Sequence, residues 1–152
     1  MQAANITTWA RDGDALSALR QAVFVGEQGV PATLEFDALD AMPKRTVHAV
    51  LRDDEGEVIA TGRLVLSRTA DGVWITPRIG RMAVAKALRG QGAGGRVLHA
   101  LDEHAQRLGY TDVLLHAQAH AASFYALHGF VQVGETFTEA DILHVEMRKN
   151  LL

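Results

Sequence analysis

The apolar positions of this chain repeat with two different spacings. Spacing of two marks strands. Val58 to Leu66 sets Val58, Ala60, Gly62, Leu64 and Leu66 on one side and Ile59, Thr61, Arg63 and Val65 on the other. Val47 to Leu51 alternates in the same way, and Asp53-Asp54-Glu55-Gly56 between them reads as a hairpin turn. Asp71-Gly72 predicts a second turn, before Val73 to Ile75 and a strand running through Val84 with a bend at Pro77. Spacing of three to four marks helices. After a short strand over Asn5 to Trp9, Leu16, Leu19, Ala22 and Val23 predict a helix capped by Asp12 or Asp14 and reaching about Val25. Val97, Leu98, Leu101 and Ala105 predict a second, ended by Gly109. A strand over Asp112 to Ala117, a short helix from about Ala121 to Leu127, and a closing strand pair, Phe130 to Val133 and Leu143 to Arg148, complete the pattern.

One stretch has no clean period. Phe24 to Pro31 breaks the first helix, and Glu27 to Lys44 carries Glu35, Asp37 and Asp40 among the apolar Leu34, Phe36 and Leu39. It reads as a partly helical loop, a lid or a wall for a substrate.

The order strand, helix, three antiparallel strands, helix, strand, helix, two strands implies an α/β (α+β) fold. We expect one domain over 1–152, with about four helices around a mixed, mostly antiparallel sheet of six to seven strands. The helix between the Met82 strand and the Val113 strand is a crossover, so those two strands should run parallel.

The junction ahead of the second helix carries the first chemical signal. Arg89-Gly90-Gln91-Gly92-Ala93-Gly94-Gly95-Arg96 places four glycines at the mouth of an amphipathic helix. Each glycine costs up to about 1 kcal/mol against alanine inside a helix, so the run suits a place where backbone must approach a ligand. Unpaired N–H groups and the positive end of the helix dipole meet there, and Arg89 and Arg96 add charge. The reading is an anion site, best matched by a pyrophosphate; the bland alternative is a flexible loop. No Gly-Lys-Ser/Thr follows, which excludes a P-loop.

Composition narrows the classes. Of 152 residues, 48% are hydrophobic and 22% charged, as in an ordinary globular domain. A net charge of -3 argues against a nucleic-acid partner. There is no cysteine, hence no disulfide and no thiol nucleophile. No apolar run approaches the roughly 20 residues of a membrane span, and Met1 to Asn5 lacks the features of a signal peptide; the expectation is a cytoplasmic protein without a membrane partner. The seven histidines do not fall at metal-ligand spacing, so we expect no metal.

Three motifs in order resemble the GNAT superfamily of acetyltransferases. Arg89-Gly90-Gln91-Gly92-Ala93-Gly94 is similar to its Arg/Gln-x-x-Gly-x-Gly/Ala signature, and Met82-Ala83-Val84 to its cofactor strand. The run Ala121-Ala122-Ser123-Phe124-Tyr125-Ala126-Leu127-His128-Gly129-Phe130 resembles its Ala-x-x-x-Tyr-x-x-x-Gly-Phe motif. Val23 to Pro31 and Ile142 to Met147 resemble the ElaA-like branch.

The resemblance implies acetyl-CoA as co-substrate. Its pantetheine arm would lie along Met82, Ala83 and Val84, in a gap where that strand splays from its neighbour. Its pyrophosphate would lie on Arg89, Gly90, Gln91, Gly92, Ala93, Gly94 and Gly95. The Met82 N–H would polarise the thioester carbonyl. Tyr125 would be the general acid that protonates the leaving thiolate as the tetrahedral intermediate collapses; the alternative is a tyrosine filling core beneath Phe130. The family's usual asparagine is replaced by Gln118, which keeps the hydrogen-bonding group on a longer arm.

A general base is not singled out. The usual glutamate positions are Arg78 and Val113, and the candidates on the acceptor side are Glu27, Glu35, Asp37, His116, His120 and His144. With Asp40, the acids suit a cationic acceptor by field alone, while Arg63 and Arg81 are candidates to pair with them. The expected activity is acetyl transfer to the primary amine of a small molecule or peptide. The alternatives are transfer of a larger acyl group and a non-catalytic acyl-CoA-binding module. Open sheet edges leave room for a homodimer.

Overall fold

A single seven-stranded sheet, in the order β1-β2-β3-β4-β5-β7-β6, carries the molecule. The computed structural model describes residues 1–152, apart from the side chains of Arg68 and Trp74. The strands are β1 (Asn5–Thr7), β2 (Thr46–Arg52), β3 (Val58–Arg68), β4 (Trp74–Val84), β5 (Asp112–Gln118), β6 (Val131–Glu139) and β7 (Ile142–Asn150). Every neighbouring pair is antiparallel except β4 and β5. That exception follows from the crossover helix α3 (Ala93–Arg107) between them.

The first helix, α1 (Trp9–Arg20), begins earlier than the charge pattern suggested. Thr8 caps it by accepting a hydrogen bond from the Arg11 N–H, and Asp12 lies in the first turn, bonded to Thr7 and Arg52. Nor does the chain break at Phe24. Gln21–Glu27 continues as a π-helix, which shifts the facing residues so that Val23 is buried while Ala22 is exposed. Beyond it, a short helix α2 (Ala32–Glu35) and a 3₁₀ turn (Ala38–Ala41) form the partly helical segment expected there.

The core is the α3 face of the sheet. Val97, Leu98, Leu101 and Ala105 pack with Leu51, Leu64, Ile79, Val113 and Leu115, all essentially without solvent exposure. Burying a side chain of this size stabilises by about 1.5–3 kcal/mol. Asp102 also lies in this face, its carboxyl held above its ordinary value by burial against the pull of Lys149 of β7, to which it is bonded at 2.7 Å.

Strand β4 carries two irregularities. Against β3, Thr61 faces Ala83 but Arg63 faces Gly80, so β4 holds one extra residue there. A second shift lies between Val65 and Ser67, around the buried Pro77. Proline cannot donate to a ladder, and a bulge removes that need. The first bulge holds Arg81 at φ 52, in the left-handed region. β4 then parts from β5: the parallel ladder consists of Arg78 with Leu114 and Ile79 with Leu115, and ends there. The closing hairpin β6–β7 is longer than the sequence suggested, joined by Ala140 and Asp141 with φ 51 and 61, the signs of a type I′ turn.

Candidate active site

The parting of β4 and β5 opens a cleft of about 1000 Å³. The end of β4 forms one side, and Leu115 to Gln118 of β5 the other. The start of α3 closes one end, with α4 (Ala122–Leu127) beside it, and the π-helix and α2 overhang it. Of the residues expected to hold a cofactor, Met82, Ala83, Val84, Arg89, Gly90, Gly92, Ala93, Gly94, Gln118 and Tyr125 line this cleft; Gln91 and Gly95 do not. On the acceptor side, Glu35, His116, His120 and His144 line it, whereas Glu27 and Asp37 lie outside.

At the α3 end, the chain turns through Gly90 (φ 80) and Gly92 (φ 84), a conformation that L side chains rarely adopt. Gly92 caps α3 without offering any side-chain acceptor, so the N–H groups of the first turn stay available to a ligand. Gly94 permits a close contact with α4, since a Cβ there would stand 3.1 Å from the Phe124 ring. A Cβ at Gly95 would stand 2.7 Å from the His128 ring. The glycines therefore serve both the open helix start and the seating of α4. The expected charge of Arg89 is already engaged: its guanidinium bonds Glu27 at 2.5 Å and the Val84 carbonyl at 3.1 Å, tying the π-helix to the turn.

α4 sets Tyr125 against the rings of Phe124 and Phe130, edge to face at 5.0 and 6.0 Å. Burial pushes its phenol up to about 12, so it stays protonated over any ordinary working range. Gln118 donates to Gln28 Oε1 at 2.7 Å and accepts from His120 Nε2 at 2.7 Å, bridging the end of β5 to the overhang.

The acids of the irregular segment do not present a free negative field. Arg20, 1% exposed, donates through Nε to Glu35 at 2.7 Å and through both terminal nitrogens to Asp40 at 2.8 and 3.1 Å. Arg63 bonds Asp37 through both terminal nitrogens, and Asp40 at 2.9 Å. Arg81, turned out by the bulge, bonds the carbonyls of Leu34 and Glu35 and lies 3.4 Å from the Glu35 carboxylate. Three guanidinium groups thus meet three carboxylates. Hydrogen bonding from Arg63 holds Asp37 down at about 2. Burial raises Glu35, against the opposing pull of Arg20. The cluster pins the overhang to the sheet, and its charges cancel within it. That Arg63 and Arg81 pair with these acids is as the sequence suggested; the part of Arg20 is a finding of the structure.

On the opposite rim, β5, β6 and β7 contribute a second polar group. His116 Nε2 lies 3.2 Å from Glu146 Oε1, and its ring meets Phe137 edge to face at 5.0 Å. Burial pushes the Glu146 carboxyl up, but the hydrogen bonds and charges of His116 and Arg148 outweigh it and leave the group below its ordinary value. His144 Nδ1 bonds the Ile142 carbonyl at 2.7 Å, and its Nε2 lies 3.7 Å from Glu139, which Arg78 approaches at 3.8 Å. Sequence reasoning did not place Phe24, Glu139, Ala140 or Ile142 in the site; the cleft includes them because the π-helix and the long β6–β7 hairpin reach over it. The resemblance of Ile142 to Met147 to one family branch was the available hint.

The family profile described as acetyltransferase (GNAT) domain matches residues 22–151. This chain belongs to the GNAT acetyltransferases. It is an acyltransferase, and its relatives agree. It is 35% identical over 133 residues to the uncharacterized N-acetyltransferase YjcF of Bacillus subtilis, covering 87% of this chain and 88% of that one. An acyl-CoA N-acyltransferase from Pseudomonas aeruginosa superposes with a TM-score of 0.81 at 36% identity, over 96% of this chain and 97% of that one. Escherichia coli ElaA superposes with a TM-score of 0.81 at 29% identity, over 96% and 98% of the two chains, in line with the branch its motifs resemble. Among the described residues, no helix is long and apolar enough to cross a membrane.

Proposed function

We propose that this GNAT enzyme transfers the acetyl group of acetyl-CoA to a primary amine. The observation that carries the reading is the coincidence of three openings. The β4–β5 ladder stops after Ile79 and Leu115, the bulge at Arg81 leaves Met82 beside the gap, and the uncapped start of α3 closes its end. An extended amide-bearing arm fits such a gap as an added strand would, pairing with the backbone of Met82 to Val84. The N–H groups of residues 90–95 suit a diphosphate. Acetyl-CoA would bring the activated acyl carbon. The chain's own groups would do the rest: the Met82 N–H stabilises the developing oxyanion, and Tyr125 supplies the proton the departing sulfur needs.

The elevated phenol constrains how that proton moves. A group held at about 12 does not readily protonate a thiolate; the cysteine thiol, a guide to thiols in general, ordinarily stands at about 8.5. The step becomes favourable if Tyr125 gives its proton to sulfur while receiving one from the nitrogen of the tetrahedral adduct. Tyr125 is then a relay, and its proton is regained within the same turnover.

Tyr125→Phe tests this role. Acetyl-CoA affinity measured by calorimetry should stay within about twofold, and amine acetylation should fall roughly 10²–10⁴-fold. Unchanged turnover would assign Tyr125 to packing alone. Measurable acetyl-CoA binding with no turnover of any amine by the wild-type chain would instead favour a binding module.

A further inference from the structure

Resting on that reading, we propose that His116 is the general base for the incoming amine, with Glu146 as its positioning partner. Ile79 and Leu115 are the last parallel pair, and both are buried on the α3 face. Successive strand residues alternate faces, so Gly80 and His116 lie on the other face, at the point where the two strands begin to part. A Cβ on Gly80 would meet nothing within 4 Å. The side of the cleft opposite α3 is therefore open there, with His116 at its edge.

Hydrogen bonding then sets the ring. A carboxylate only accepts, so the 3.2 Å contact with Glu146 requires that Nε2 carry the proton. In neutral imidazole this leaves the lone pair on Nδ1. That atom has no hydrogen-bond partner among the described residues but is itself buried, so it meets an acceptor only when the partly exposed ring tips into the cleft that it lines. The other two histidines lining the cleft lack a carboxylate at hydrogen-bond distance: His120 Nε2 donates to the Gln118 amide, and His144 Nδ1 to the Ile142 carbonyl, with Glu139 3.7 Å from its Nε2. The charged neighbours that bear on His116 are Glu146 and, on it at 3.3 Å, Arg148. Further along the same hairpin stand His144 and Glu139, which pairs with Arg78 of β4. The Glu35–Arg81 pair lines the cleft from the overhang.

His116 Nδ1 takes one proton from the ammonium form of the acceptor, which frees the nitrogen pair that forms the new bond to the acyl carbon. The carbon–sulfur bond breaks, sulfur takes the Tyr125 proton, and the remaining surplus N–H proton restores the phenol. The imidazolium discharges its proton to solvent after each turnover.

His116→Gln should bind acetyl-CoA as the wild type does and lose roughly 10²–10⁴-fold in kcat/KM at neutral pH. Its rate should climb as pH approaches the acceptor amine's own pKa, because a neutral amine needs no base. Glu146→Ala should lower kcat and leave the KM for acetyl-CoA in place, since the ring loses the acceptor that fixes its Nε2–H tautomer, and Glu146→Gln, whose amide oxygen still accepts, should restore part of it. A readout independent of turnover is the ring-nitrogen NMR spectrum, which should show the Nε2–H tautomer at His116 in the wild type. Wild-type kcat/KM and an unmoved pH profile in His116→Gln, or an Nδ1–H tautomer, would overturn the proposal while leaving acetyl transfer intact. No acetyl transfer by the wild type would overturn the transferase reading, and this one with it.

Discussion

Arg20 shows most sharply how single residues shape this cleft. It is almost fully buried, with Trp9 and Phe36 rings each 5.3 Å from its guanidinium carbon, and it holds Glu35 and Asp40 at once. A buried pair adds little net stability over apolar packing, but removing one partner strands the other charge. Arg20→Ala should therefore cost about 3–5 kcal/mol in chemical denaturation, and Arg20→Lys should recover only part, because an ammonium cannot reproduce the planar fork. A loss below about 1 kcal/mol would contradict the account. The acids themselves were legible in the sequence as polar positions among Leu34, Phe36 and Leu39. Of their partners, Arg63 and Arg81 were legible as candidates from their strand positions, but Arg20, 15 residues before Glu35, was not. Arg20 lies one helical turn from the buried Leu16, so the helix turns it inward on the same face.

At the level of elements, packing decided what propensity left open. The alternation of Val58 to Leu66 predicted β3, and the spacing of Val97 to Ala105 predicted α3; both stand in the structure. The cap at Thr8 and the π-helix were missed, since one threonine among several acids carries little signal and a π-turn shifts the period without breaking it. Gly62 shows how two elements fix each other. Read in the sequence as one member of an alternating face, it is the point where β3 and α3 meet most closely. A Cβ there would overlap Met82 Sδ and come within 3.0 Å of Val97 and 3.1 Å of Leu101. Gly62→Ala should lower stability by about 1–3 kcal/mol through overpacking and, by displacing Met82, raise the KM for acetyl-CoA. Unfolding curves and steady-state kinetics would show both effects. Unchanged values would mean that Met82 gives way freely and that its position does not matter.

Across the whole molecule, the sheet is continuous on both sides of one interruption, and the interruption holds the candidate chemistry. Its parallel pair was legible from the crossover, and the glycine turn from its composition. How short that ladder is was not: it depends on the Arg81 bulge, a register event between strands distant in sequence. The acceptor rim was equally hidden, because the cleft gathers it from the π-helix, α2 and the β6–β7 hairpin.

The central claim is that the open start of α3 and the gap beside β4 together receive acetyl-CoA. The most direct measurement is a titration of the amide ¹H–¹⁵N spectrum with acetyl-CoA. The account predicts saturable shifts concentrated at Gly90, Gly92, Gly94, Gly95 and Met82. Saturation with those amides unmoved, or shifts confined to another part of the sheet, would contradict it.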